Sequence, residues 1–365
     1  MTTRERFVKV LTGQKVDRVP FMKIFGGKNA ILPVWEKEYP GISNCIDDLL
    51  QFEGQYRGWQ ITPVNTSCSR LDEEKIMEEN ETRVVLKDGI GRTVIRQKDA
   101  DFHFSSYIAW PVKTGNDWGR FKERHLQPED PERFPKNWKE LAAQYQTRDY
   151  PLQLTHGGVY GFARNIMGDQ ALALAFYDTP DLVLDIMTTY TEMAIALWEK
   201  MAREVDFDLI ECWEDMASKN GSLISPATFR EFLKPHYLKI ADFAKKHGIK
   251  IILVDSDGQI EGLTKLMVES GVNTMYPYEA QAGNDVAKVL DSFPDLGVIG
   301  GLNKNVMAQG KKAIDLELEK AHRLIEKGRY IPGPDHFVLS DVSFANYRYF
   351  MERLREVVMS TKPGN

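Results

Sequence analysis

The chain has 365 residues, 42% hydrophobic and 27% charged, a composition that excludes disordered, collagen-like and disulfide-scaffold classes. Acidic residues outnumber basic ones 53 to 47, a formal net charge of −6 that disfavours bulk binding to nucleic acid or to an anionic membrane. The length suits two domains of about 150 residues or one α/β barrel of about 250 residues with additions.

Cys45, Cys68 and Cys212 stand far apart without a C-x-x-C pair. A disulfide framework or an all-thiolate zinc site is therefore not expected, and a cytoplasmic location is. Residues 1–20 lack the apolar core of a signal peptide, and no apolar run reaches the roughly 20 residues that span a bilayer.

Residues 18–24 read as a first strand and 60–64 as a weak second. From about 70 to 148 the rhythm breaks. Residues 82–87 and 92–96 form a hairpin pattern around a glycine turn at 88–91, and Trp110, Trp118 and Trp138 come after it in a stretch that reads as an excursion or lid, with the tryptophans filling its core or meeting a partner. Residues 150–154 are the next strand, and a helix starts at Thr179-Pro180 with Val183, Ile186, Met187, Tyr190 and Leu197 on one face. The run 207–210 precedes a helix that Ser225 caps and Pro226 opens, buries Phe229, Phe232, Leu233, Tyr237, Ile240 and Ala244, carries a kink signal at Pro235, and stops at Gly248. Strand runs at 249–254, 272–276, 297–300 and 330–331 then alternate with helical patterns to the C-terminus. Successive βα units imply right-handed crossovers and a parallel sheet. Eight such strands close one (β/α)8 TIM barrel spanning 1–365, with 70–148 inserted. The alternative, an open doubly wound sheet, would show a glycine-rich phosphate turn after a strand, and this chain has none.

In a parallel barrel the site lies at the C-terminal strand ends, so the residues just past each run carry the chemistry. Glu211, Cys212, Trp213, Glu214 and Asp215 come after the first of the C-terminal runs, and Asp255, Ser256, Asp257 and Gly258 after the next. Tyr278 and Glu279, then Asn303 and Lys304, then Asp335 and His336 end the others, while earlier strands offer Lys23 and His156. Asp257 has a plain alternative as a helix N-cap. Asp255 directly ends an apolar run and fits that role less well. Two carboxylates in one mouth repel unless a cation or proton stands between them. His336 is the histidine expected beside them, as metal ligand or proton donor, with Glu214 completing the set. Cys212 reads as a buried small hydrophobe. Lys304 suits neutralising a substrate or tuning a base, and Glu279 either pairs with it or serves as an acid–base group.

The residues Arg4-Glu5-Arg6 and 16–20, the stretch 225–237, Asp255-Ser256-Asp257-Gly258, the 300–304 stretch ending in Asn303 and Lys304, and Pro334-Asp335-His336 together resemble the uroporphyrinogen decarboxylase superfamily. The resemblance implies a TIM barrel, commonly paired as a homodimer. True decarboxylases of that family clamp porphyrinogen carboxylates with an arginine-rich segment after the first strand. Residues 21–30 here contain no arginine, which argues against a substrate that needs bidentate guanidinium forks. The other branch resembles corrinoid-dependent methyltransferases, which hold zinc through His-x-Cys and a later Cys. This chain has Asp255, Asp257 and, with a two-residue shift, His336 at those places, so the thiolates are replaced by oxygen and imidazole donors.

The resemblance therefore implies a zinc-dependent methyltransferase that demethylates a small methoxylated donor at an oxygen-rich site. Asp255, His336 and Glu279 are its expected catalytic residues; Asp255, Asp257, His336 and Glu214 its metal ligands; Lys304, Asn303, His156 and Tyr278 its substrate contacts. A metal-free carboxy-lyase is the alternative. Asp101-Phe102-His103 is followed by Ser106 where a cobalamin motif needs Gly, so the cobamide is expected on a separate corrinoid protein.

Overall fold

Short β-branched runs between amphipathic helices build a curled parallel sheet, and its strand order follows the chain. The computed structural model describes all residues except 26–30, 55–56, 99–104 and 365. The strands are β1 (Gln60–Ile61), β2 (Lys75–Glu79), β3 (Arg83–Lys87), β4 (Thr93–Gln97), β5 (Ser105–Ala109), β6 (Leu152–His156) and β7 (Leu209–Trp213). After these come β8 (Ala217–Ser218), β9 (Gly221–Ser222), β10 (Ile251–Ser256), β11 (Thr274–Pro277), β12 (Gly297–Leu302) and β13 (Tyr330–Pro334). Seven of them pair in the order β1-β6-β7-β10-β11-β12-β13, all parallel, a half-barrel of TIM-barrel-like fold.

The segment expected as the first strand, 18–24, is not one. Pro20 has no N–H to give to a ladder. The segment runs buried between the two ends of the sheet instead. A Cβ on Gly58, just before β1, would stand 2.5 Å from the Met22 sulfur, and one on Gly333 in β13 would stand 2.3 Å from Ile24 Cγ1. Side chains thus fill the place where hydrogen bonds would close a barrel. The ladders of β6, β7 and β10 begin two residues later than the apolar runs at 150, 207 and 249 suggest. The lead-in residues Phe207 and Ile249 are buried without being paired, and hydrophobicity reports burial rather than pairing.

The helix after β9 shows how local signals act. Ser225 Oγ accepts the Thr228 amide at 3.0 Å with Pro226 at the first helical position, and the six expected apolar residues are buried. A π-helical turn over Phe229–Leu233 precedes Pro235, which cannot donate to the turn before it. The helix then runs Lys234–Lys246 and ends before Gly248, whose φ of +69° suits glycine.

Within the excursion, β2-β3-β4-β5 form an antiparallel sheet that contains the expected hairpin as β3 and β4. Asp88 closes its turn by accepting the Ile90 and Arg92 amides and the Arg92 Nε at 2.7 Å. Trp118 and Trp138 are buried, their indole N–H groups donating to Asp185 and Glu204, so they serve as core. The stretch Asp101, Phe102 and His103, like 26–30 of the segment after the first expected strand, lies outside the described residues. Among the described residues no helix is long and apolar enough to cross a membrane.

Candidate metal and acid–base site

Alternation along a strand sends every second side chain to one face. Register pairs Leu253 with Glu211 and Asp255 with both Trp213 and Tyr276, so Glu211, Asp255 and Tyr276 share the inner face while Cys212 and Val254 turn to the helices. Cys212 is buried beside Tyr237, and burial raises its thiol pKa well above the usual value, as a packing residue requires.

The Tyr276 hydroxyl lies 2.7 Å from Asp255 Oδ2 and 2.8 Å from Glu211 Oε1. A phenol has one proton, so it serves one carboxylate at a time. The Arg57 guanidinium stands 3.5 Å from both carboxylates and also donates to the Tyr276 oxygen. Burial, and next the charge of Glu211, raises the Asp255 pKa well above its ordinary value, while Arg57 opposes the shift. Asp255 thus favours holding a proton more than a solvent-exposed aspartate does.

Just above, Asp257, Glu279 and His336 offer ligand atoms all within 4.8 Å of one another, and Asp215, Asp255 and Asp257 form a second group that shares Asp257. His336 Nε2 is 3.2 Å from Asp257 Oδ2, and its ring clusters with those of Phe25 and Phe337 at 5.2 and 5.1 Å. Glu279 Oε2 accepts the Gly258 amide at 2.8 Å, which fixes its reach into the mouth. Asp257 does not cap a helix. The amides of Ile260 and Glu261 go to Asn284 Oδ1 at 3.0 and 3.1 Å, leaving the Asp257 carboxylate to face His336.

One imidazole nitrogen and two carboxylates make a three-ligand set of the kind that holds a divalent ion with a position open. The second group is less suited, because cations already stand beside it. Arg57 serves Asp255, and Arg164 lies 3.2 Å from Asp215. Burial and then Asp257 raise the Asp215 pKa, and Arg164 moderates it.

The structure does not bring every expected residue to this place. Glu214 is fully buried, and its carboxylate accepts the amides of Val159, Tyr160 and Gly161 at 2.7, 2.8 and 2.9 Å together with the Tyr237 hydroxyl. It satisfies the first turn of the helix Val159–Met167 and is not a metal ligand here. Gly158, with φ +84°, permits that approach, since a Cβ there would stand 2.1 Å from the Trp213 carbonyl oxygen. His156 is buried under the mouth, its ring 4.7 Å from that of Tyr190, and burial lowers its pKa to about 3, so it is a neutral core residue. Tyr278, at φ +54°, turns away from the mouth, its hydroxyl 2.9 Å from Thr264 Oγ1.

Asn303 is occupied with its own turn, accepting the Asn305 amide at 3.0 Å. Lys23 pairs with Asp47 rather than entering the site. Lys304 is 8% exposed, and its ammonium has no ion-pair partner among the described residues. It lines a groove of about 560 Å³ with Glu279, and its amide donates to Asp335 at 3.1 Å. Sequence reasoning missed Arg57, which sits in a loop ahead of the shortest strand of the parallel sheet and ends no apolar run. It also passed over Tyr276, read as strand filler, whose inner-face position emerges only once its register against Asp255 is known.

The uroporphyrinogen decarboxylase (URO-D) family profile matches residues 135–357, which include every ligand of the His336 group. No curated protein matches the chain significantly. Among solved structures, a methyltransferase from Methanosarcina mazei superposes with a TM-score of 0.62 at 15% identity, covering 98% of each chain, a likeness that shows the fold. A muconate cycloisomerase from Pseudomonas fluorescens gives only 0.26 at 9% identity, over 80% of this chain and 78% of that one, too low to carry any argument.

Proposed function

The chain belongs to the uroporphyrinogen decarboxylase family, and on that premise we propose that it is a zinc-dependent methyltransferase. It removes a methyl group from a small methoxylated donor and passes it to the cobalt of a corrinoid carried by a separate protein. The observation that carries this reading is the convergence of Asp257, Glu279 and His336 within 4.8 Å at the strand ends. Its support from the fold is the methyltransferase from Methanosarcina mazei that shares it.

Asp257, Glu279 and His336 would hold the zinc. When bound, it supplies a Lewis acid that makes the donor oxygen a better leaving group. Phe25 and Phe337 set the plane of His336, and the Gly258 amide sets Glu279. Asp255, two residues from Asp257 on the same face and bonded to Tyr276, holds the proton that the departing oxygen takes up. Positioned proton donation of this kind contributes about 10²–10⁴-fold. Lys304, which lines the same groove as Glu279, would supply positive charge toward the leaving oxygen.

The one arginine described in the inner-face network, Arg57, is engaged with Asp255, Glu211 and Tyr276. That leaves it poorly placed to clamp a polycarboxylate, as a decarboxylase of porphyrinogens must. The test is methyl transfer from methoxylated compounds to cob(I)alamin, monitored as loss of the cob(I)alamin absorbance. Transfer that stops on chelation and returns with zinc supports the reading. Carbon dioxide release from a carboxylated substrate, unchanged by chelator, would replace it with the metal-free lyase.

A further inference from the structure

A groove of about 560 Å³ runs between the loops that end β11, β12 and β13. Glu279 forms part of its wall, so the groove adjoins the Asp257–Glu279–His336 group. Lys304, two residues past β12, is the most buried of the lining residues at 8% exposed. Its ammonium has neither an ion pair nor a hydrogen bond among the described residues.

The two walls are fixed from beneath. Buried Asp335 accepts the amides of Ala280 at 2.8 Å and of Lys304 at 3.1 Å, one on each oxygen, and so braces the loops that carry Glu279 and Lys304. It makes no ion pair with the Lys304 ammonium. A buried ammonium without a counter-charge costs free energy, which a ligand bringing that charge recovers. The other charges do not supply it. Lys219 and Asp341 are exposed at the rim with opposite signs, and Glu279 belongs to the metal group.

The lining also selects the shape of the ligand. No aromatic ring lines the groove among the described residues, and Leu339 is its largest apolar contact. A planar ring would find nothing to stack on, whereas a short acyclic chain fits. Gln281 and Asn305 add side-chain N–H donors for the oxygens of an anion. One ammonium matches one negative charge, so a carboxylate suits it better than a phosphate, which brings nearly two. We propose that the groove is an anion subsite, in which Lys304 pairs with the carboxylate of an acyclic methoxy acid whose ether oxygen reaches the Asp257–Glu279–His336 group. In a 2-methoxy acid that oxygen is two bonds from the carboxyl carbon, so one ammonium serves the carboxylate and stands toward the leaving oxygen. The proposal rests on the demethylating reading of the metal group and adds the charge and shape of the donor.

The experiment is calorimetric titration of the full chain with methoxyacetate, its neutral counterpart 2-methoxyethanol and inorganic phosphate, each with zinc and after chelation. Methoxyacetate should bind saturably, and 2-methoxyethanol at least about tenfold more weakly, as loss of a charge-assisted hydrogen bond implies. That preference should persist after chelation, because Lys304 rather than zinc sets it. Lys304→Gln should weaken methoxyacetate by a similar factor and leave 2-methoxyethanol unchanged, while Lys304→Arg keeps most of the affinity. Comparing acid with alcohol needs only the parent chain, so the test stands even where a variant fails to fold. No saturable binding of methoxyacetate, equal affinity for the alcohol, tighter binding of phosphate, or affinity unchanged in Lys304→Gln overturns the proposal. Zinc uptake with equal binding of acid and alcohol sinks this inference alone. A Lys304-dependent preference for the acid in a chain that takes up no zinc upholds the anion subsite and sinks the metal reading.

Discussion

Replacing Glu214 separates a structural carboxylate from a catalytic one. Its four contacts are the amides of Val159, Tyr160 and Gly161 and the Tyr237 hydroxyl, all buried. First-turn amides have no partner within their own helix, so Glu214→Ala leaves three of them unmet. Each unsatisfied buried group costs about 1–3 kcal/mol, which for three amides sums to about 3–9 kcal/mol. Two effects pull the total down. Burial already raises the Glu214 pKa, so removing the carboxylate recovers some desolvation cost, and water can enter the space left. We expect a loss of about 4 kcal/mol for Glu214→Ala. Glu214→Gln, which keeps one oxygen but turns an amide NH₂ toward N–H donors, should lose roughly half as much. Urea unfolding monitored by tryptophan fluorescence, with zinc affinity measured on the folded variant, checks both. A Glu214→Gln protein as stable as the parent but with zinc binding weakened tenfold or more would refute the assignment and restore Glu214 as a ligand.

Acid stability reports on His156. With a pKa near 3 in the fold against 6.5 unfolded, its neutral form contributes stability in full above pH 6.5, and that stability is lost as pH falls toward 3. Between pH 6.5 and 5 the loss is about 2 kcal/mol, and His156→Leu should flatten the unfolding free energy over that range by this amount; an unchanged slope would contradict the burial argument. Gly158→Ala forces a Cβ to 2.1 Å from the Trp213 carbonyl at a positive φ, so it should cost at least about 2 kcal/mol, read from the thermal midpoint. Tyr276→Phe removes the hydroxyl shared by Asp255 and Glu211, and should lower methyl transfer at least about tenfold while leaving zinc affinity within twofold; equal losses in both would place Tyr276 in the metal site instead.

Much of the site was legible because parallel strands deliver their C-terminal residues to one mouth. That rule selects Asp255, Asp257, Glu279 and His336 without any knowledge of contacts, and the structure brings all four to that mouth. Glu214 obeys the same rule and goes elsewhere, since the amides it meets belong to a helix starting at Val159, more than fifty residues upstream, and only the packing of that helix on β7 reveals the demand. Tyr278 likewise comes after a strand, yet its positive φ reverses its direction. In the fold, the alternation of runs identifies β6, β7 and β10–β13, while 18–24 misleads because an apolar segment can be buried by side-chain packing alone. Arg57 had no signal in the pattern of apolar runs, and charge compensation at the inner face becomes visible only when Glu211 and Asp255 are seen to share one face of adjacent strands.

The central claim is that Asp257, Glu279 and His336 bind one zinc ion. Metal analysis after reconstitution, together with a cobalt(II) absorption titration, measures this on the intact chain without reference to activity. The account predicts one equivalent in the parent protein and in Glu279→Gln a weaker site, with affinity falling at least tenfold in Asp257→Asn and His336→Ala while their unfolding curves stay close to the parent. Absence of a stoichiometric metal in the parent, or affinity in Asp257→Asn and His336→Ala unchanged from the parent, would contradict it.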